Sequence, residues 1–198
     1  MPAPIVRDGI TVHRIIESEA PLFSIAEFFP DLTQEMQDEN RSWTEPRFFD
    51  PATKAVILCI QSYLVKQQGQ TILIDTCAGN HKHRPTRPFW HQQTHDRYAR
   101  GLAATGHTVD DIDMVMCTHL HGDHTGWNTR LDNGRWVPTF PKAKYVFADR
   151  EMAFWADRHK KHPEACPWIK DSVLPIVEAG RHQLVKSDHA LSDKIQLL

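Results

Sequence analysis

The chain has 198 residues, 40% of them hydrophobic, with 23 Lys and Arg against 25 Asp and Glu. That is the composition of an ordinary folded domain and excludes a disordered or fibrous chain. The longest apolar run, Ala55 to Ile60, falls far short of the roughly 20 residues needed to cross a bilayer. The early charges Arg7, Asp8, Arg14, Glu17 and Glu19 also argue against a secretory leader. A net charge of −2 removes the basic footprint of a general nucleic-acid binder. The expectation is therefore one domain over residues 1–198, with neither nucleic acid nor membrane as partner. Cys59, Cys77, Cys117 and Cys166 form no C-x-x-C pair and read as reduced, largely buried thiols, which points to a cytoplasmic setting.

In chain order, residues 12–16 read as a short strand. Residues 17–51 read as irregular, because Pro21, Pro30, Pro46 and Pro51 interrupt any long helix. The aromatic residues of this segment, Phe23, Phe28, Phe29, Trp43, Phe48 and Phe49, either pack on the core or form a lid-like pocket wall. Residues 55–65 and 71–75, joined through Gln67-Gln68-Gly69-Gln70, predict a hairpin. A loop over 76–88 follows. Its basic residues His81, Lys82, His83, Arg84 and Arg87 read either as a solvated stretch or as a subsite for an anionic group. Trp90, Thr94, Tyr98 and Leu102 form a helical stripe ending near Gly106.

Val109 to Ile112 predicts a helical turn, and residues 113–118 a buried strand. A turn is expected at Asp132-Asn133-Gly134 and a strand over 145–148. Helices over 149–159 and 171–179 precede strands over 182–185 and 194–198. Strands followed by helices, with some hairpins, indicate an α/β protein with a mixed sheet.

The sharpest chemistry lies in Thr118-His119-Leu120-His121-Gly122-Asp123-His124-Thr125-Gly126-Trp127, directly after the buried strand. Alternate residues of an extended segment point to one side, so His119 and His121 can share one ion. Asp123 and His124, past the turn at Gly122, can face a second. Imidazole with carboxylate suits zinc, and leaves iron, manganese and cobalt open. Trp127 either lines an apolar pocket beside the metals or anchors the core.

This H-x-H-x-D-H stretch at a strand end resembles the metallo-β-lactamase superfamily of hydrolases. Upstream, Thr71-Ile-Leu-Ile-Asp75-Thr-Cys-Ala-Gly79 resembles that family's strand ending in an Asp before a Gly-containing loop. Within the superfamily, the long aromatic segment and Cys77-Ala-Gly-Asn-His81 look most like the lactonase and organophosphate-hydrolase branch. The resemblance implies an αβ/βα sandwich with mixed sheets and two zinc ions. His119 and His121 then go to the first ion, and Asp123 and His124 to the second. Asp75 becomes a hydrogen-bond partner that fixes a ligand imidazole. The implied reaction is hydrolysis of a small lactone, ester or phosphotriester by metal-bound hydroxide, because coordination lowers the pKa of water to about 7, with Asp123 as the catalytic proton carrier. Alternatives on the same scaffold are an iron-dependent oxygenase or oxidoreductase, or a non-catalytic metal-binding half-domain.

The resemblance also asks for further ligands downstream, typically in a Gly-His setting. The remaining candidates, His159, His162, His182 and His189, all lie outside such a setting. The expectation is the N-terminal two-thirds of the sandwich, ending on the strand that leads to the next ligand. Such a polypeptide should hold metals weakly and self-associate as a homo-oligomer through its uncovered sheet.

Overall fold

The computed structural model describes residues 3–196, so Leu197 and Leu198, the end of the predicted last strand, lie outside the described residues. The chain begins with β1 (Ile5–Arg7), β2 (Ile10–Ser24), α1 (Ile25–Phe28), α2 (Gln34–Thr44), β3 (Phe49–Asp50), β4 (Ala55–Gln67) and β5 (Gln70–Ile74). There follow α3 (Arg97–Ala104), β6 (Met114–Met116), α4 (Gly122–Thr125), β7 (Thr129–Asp132) and β8 (Arg135–Pro138). The described part closes with β9 (Lys144–Ala148), α5 (Asp149–Lys161), α6 (Leu174–Glu178) and β10 (His182–Val185).

Eight strands form one mixed sheet in the order β1-β2-β4-β5-β6-β9-β10, with β3 beside β4. Pairing is antiparallel from β1 to β5 and parallel from β5 through β6 and β9 to β10. Period-two alternation divides the apolar residues between the two faces. Leu73, Val115, Tyr145 and Phe147, together with Ile15 and Leu64, meet Tyr98 and Leu102 of α3, Trp155 of α5 and Ile176 of α6 in the main core. On the other face Ile74, Met114, Met116, Val146 and Val185 gather with Leu191 alone. The helical cover is thus concentrated on one face.

Both predicted turns follow from local chemistry. Gln68 and Gly69 between β4 and β5 have φ of 48° and 81°. Asn133 and Gly134 between β7 and β8 have 48° and 77°. Two successive left-handed residues match the twist of a tight hairpin.

Residues 17–51 are far more regular than their prolines suggest. The strand predicted over 12–16 is part of β2, which runs on to Ser24, and Pro21 sits at a register shift between Pro21 and Phe23, where a missing N–H disturbs the ladder least. α2 fits between Pro30 and Pro46, started by Thr33 Oγ1, which accepts the Met36 N–H at 3.2 Å. Phe28, Phe29, Met36, Trp43 and Phe48 remain exposed, while Phe49 is buried in a small cluster with Ile25 and Val56.

The stripe at 90–102 becomes helix only from Arg97. Before it, the Gln92 N–H donates to the Lys82 carbonyl (2.9 Å) and the His81 N–H to Gln93 (2.8 Å), so this backbone is committed to the preceding loop. The predicted helix at 171 begins as a π-helical turn over Ile169–Val173 that runs into α6. In place of a strand from Lys194, the described residues show a single bridge between Ala190 and Gln196.

The basic loop is only partly a solvated stretch, with His81, His83 and Arg87 exposed. Lys82 and Arg84 are buried, and both converge on Asp171. Arg84 pairs with its carboxylate through two bonds, of 2.7 and 2.9 Å. Lys82 Nζ donates to Thr129 Oγ1 at 2.7 Å and to the Asp171 carbonyl at 3.2 Å, and lies 3.7 Å from the centroid of the Trp136 ring. These bonds fasten the loop to β7 and the π-helical turn.

Burial pushes the Lys82 ammonium down from its ordinary 10.5 to about 7; the Asp171 charge opposes this and Arg84 adds to it. Between those two values the unfolded chain holds the proton that the folded chain has released. The Lys82 contribution to stability should therefore rise as the pH climbs from 7 toward 10.5, while the buried thiols, whose pKa values are raised above 9.0, work against it in the upper part of that range. Urea unfolding between pH 7 and the ordinary thiol value of 9.0 should show that rise in the wild type and a flatter profile in Lys82→Met. An equal rise in the variant would place its source elsewhere.

Candidate metal centre

The candidate metal loop, Thr118 to Trp127 (the metal loop below), begins where β6 ends. Asp75, at the end of β5 beside it, has φ of 57°, a left-handed conformation that Asp tolerates better than most residues. Its carboxylate accepts the Thr118 N–H at 2.8 Å and the Thr118 hydroxyl at 2.9 Å. It also bonds His124 Nδ1 at 2.8 Å. This contact commits Nδ1 of His124 to protein and leaves Nε2 for another partner. Asp123 Oδ2 stands 3.6 Å from that nitrogen.

The three imidazoles lie together. Ring centroids of His119 and His121 are 4.7 Å apart, and those of His119 and His124 are 4.0 Å apart. Burial, then the neighbouring His124 and His121, lowers the pKa of His119. For His124 burial is the largest influence and also works against the charge, but the bond and charge of Asp75, with Asp123 behind them, raise the pKa on balance.

The shared direction of His119 and His121 depends on the residue between them. The Leu120 N–H donates to Glu151 of α5 at 2.9 Å, and its carbonyl accepts the Trp168 indole N–H at 2.6 Å. Glu151 also accepts the Trp155 indole N–H at 3.0 Å. Trp155 and Trp168 then wall the His121 ring at centroid distances of 5.0 and 6.0 Å.

The other half of the frame is a backbone zipper between the loop after β5 and the end of the metal loop. Thr76 N–H donates to the His124 carbonyl (2.7 Å), Gly126 N–H to Cys77 (2.8 Å) and Trp127 N–H to Thr76 (2.8 Å). A Cβ on Gly126 would stand 2.0 Å from the Ala78 carbonyl carbon and oxygen, so this approach requires glycine. Glu17, 1% exposed, locks the zipper from β2. It accepts Ala78 N–H at 2.8 Å, Gly79 N–H at 3.3 Å and the Trp127 indole N–H at 2.6 Å.

His119, His121, Asp123, His124 and Asp75 are therefore brought together. Trp127 serves as an anchor: its ring stacks on Tyr98 at 5.2 Å and its N–H goes to Glu17. The downstream histidines take other positions. His159 Nδ1 faces Cys166 Sγ at 3.8 Å, His162 is exposed beside Glu164, and His182 lies in β10 opposite Tyr145. Glu17, Glu151 and Trp168 escape motif reading. Glu17 alone leaves a trace, as a carboxylate two residues after buried Ile15 in an otherwise core-facing strand.

As they stand, no three His, Cys, Asp or Glu side chains among the described residues are arranged as a finished metal-holding group. Proximity and donor chemistry nevertheless fit a divalent ion of the zinc type. Three imidazoles and a carboxylate are gathered, and the Nδ1 of one imidazole is tied to a second carboxylate, an arrangement that orients metal-binding histidines.

The family model described as the metallo-beta-lactamase superfamily matches residues 60–190, and the chain belongs to that superfamily. A crystal structure of the hydrolase AbOPH in the beta lactamase superfamily superposes with a TM-score of 0.71 at 18% identity, over 96% of this chain and 62% of that one. A probable metal-dependent hydrolase from Staphylococcus aureus gives 0.70 at 16% identity, over 93% and 62%. AidC, a dizinc quorum-quenching lactonase in complex with a product, gives 0.65 at 17% identity, over 96% and 62%. The chain thus spans about 62% of the length of these structures. Comparison with curated proteins gives no match. Among the described residues no helix is long and apolar enough to cross a membrane.

Gly126→Ala tests the zipper. Its helical backbone, φ −58° and ψ −51°, suits alanine, so only the clash with the backbone of Ala78 and Gly79 is introduced. Overpacking of this kind costs about 1–3 kcal/mol, and chemical denaturation should register a loss in that range. A midpoint equal to that of the wild type would mean that the two loops separate at no cost.

Proposed function

We propose that this protein is a metal-dependent hydrolase acting on a small lactone, ester or phosphotriester, with His119, His121, Asp123 and His124 holding two divalent ions, zinc by preference. The single observation that carries the reading is the Asp75 bond to His124 Nδ1, beside two further imidazoles and Asp123. The relatives support it: one is described as a dizinc lactonase and another as a metal-dependent hydrolase. Bound divalent ions supply Lewis acidity, polarising the oxygen under attack and making water nucleophilic near neutral pH.

The chain's own residues do the remaining work. His119 and His121 present nitrogens from one extended segment, held in direction by the bonds at Leu120. Asp75 keeps His124 in one orientation and tautomer. Asp123, half-buried and within 3.6 Å of His124 Nε2, is placed to take a proton from the attacking water and return it to the leaving oxygen. The route needs no protein nucleophile. Trp155 and Trp168 shield one side of the His121 ring from water.

Titration with zinc, and with cobalt followed by its visible absorption, tests the ligand set without reference to turnover. The wild type should bind. His121→Ala should lose the cobalt spectrum, and Asp75→Ala should bind about 10- to 100-fold more weakly, the usual cost of removing a partner that orients a ligand. A wild type that binds no metal, or a His121→Ala variant that binds as tightly, would overturn the reading. A panel of lactones, esters and phosphotriesters then assigns the substrate.

A further inference from the structure

We propose that the cavity beside the metal loop recognises a ligand with an apolar body and a carboxylate, and that Arg87 reads the charge. The proposal deepens the hydrolase reading by naming a substrate class, an acid-bearing ester or lactone, and rests on that reading only for the bond to be broken. The cavity measures about 560 Å³ and is lined by His121 and Asp123 together with Phe23, Ile60 and Trp168. That volume lies within the roughly 300–1,000 Å³ of small-molecule sites.

Two guanidinium groups reach this cavity, and they differ in one respect. Arg84 is buried and fully engaged, with both carboxylate oxygens of Asp171 and the His83 carbonyl at 2.9 Å. Arg87 is exposed and donates only to the Thr86 carbonyl at 3.1 Å; it has no carboxylate partner among the described residues. Its guanidinium carbon lies 5.3 Å from the centroid of Phe23. Stacking on a cavity wall limits the freedom of this side chain and leaves its N–H edge available.

Trp90 stands on the same turn. The Trp90 N–H of the backbone bonds the Arg87 carbonyl at 2.9 Å and holds the turn, and Trp90 itself lines the cavity. A cavity with an apolar wall and a guanidinium that has no carboxylate partner among the described residues is complementary to an apolar ligand that carries an oxygen anion. A neutral ligand leaves the guanidinium unmatched.

The test uses metal-stripped protein, so that a carboxylate cannot be held by an ion, and calorimetric titration with octanoate and with neutral octanamide. Octanoate should bind the wild type at least about tenfold more tightly than octanamide, the scale of one charge-assisted hydrogen bond. Arg87→Ala should weaken octanoate by a similar factor and leave octanamide unchanged, and Arg87→Lys should recover part of the loss. Equal affinity for the two probes, no octanoate binding, or an Arg87→Ala variant that binds octanoate as the wild type does would each overturn the proposal. Because no metal is present, these outcomes are read separately from the zinc and cobalt titrations. Failure of either experiment leaves the other interpretable.

Discussion

The candidate centre depends on two stretches of backbone lying against each other with nothing between them. The segment after β5 and the end of the metal loop are joined by N–H to carbonyl bonds at Thr76, Gly126 and Trp127, with no space for a Cβ at Gly126. Closeness of this kind lets a carboxylate as short as that of Asp75 reach both Thr118 and His124. The same closeness buries polar groups, and Glu17 answers that need by accepting three N–H bonds at once. Burial raises the pKa of Glu17, against the three hydrogen bonds and Arg97. The carboxylate is thus held between desolvation and the donors around it.

A second junction works by charge. Lys82, Arg84 and Asp171 bring two cations and one anion out of water, an arrangement that rarely stabilises a protein by itself. Its contribution is positional. It joins the loop before α3 to β7 and to the π-helical turn, and so fixes the side of the molecule from which Trp168 reaches Leu120. The extra residue of a π-helical turn changes which side chains face inward. Here Ile169, Asp171, Ser172 and Val173 are all buried.

Much of this was legible in the sequence, and the limits are physical. His119, His121, Asp123 and His124 stand out because they lie within six residues at the end of a strand, whereas Asp75, 49 residues before His124, is reached only through the family resemblance. The hairpin turns were likewise legible from neighbouring residues. Residues 17–51 were not, since a proline at a register shift and prolines flanking a helix look from sequence alone like proline within a broken one. The helical stripe from Trp90 also misled in part. Periodicity records which side chains could share a face, whereas hydrogen bonds from the loop at 81–82 decide where the helix can begin. Lys82 and Arg84 read as solvated because Asp171, their counterion, is almost ninety residues away in the chain.

The bonds at Leu120 have a consequence for the order of folding. Its partners lie 31 and 48 residues further along, on segments that follow the metal loop in synthesis. A nascent chain that has just completed Thr118 to Trp127 already contains every side chain of the motif but not its geometry. The direction of the candidate ligands is acquired only when Glu151 and Trp168 arrive. The motif is therefore not a portable cassette. Transplanted to another strand end without α5 and the turn beyond it, the same ten residues would lack what aligns His119 with His121.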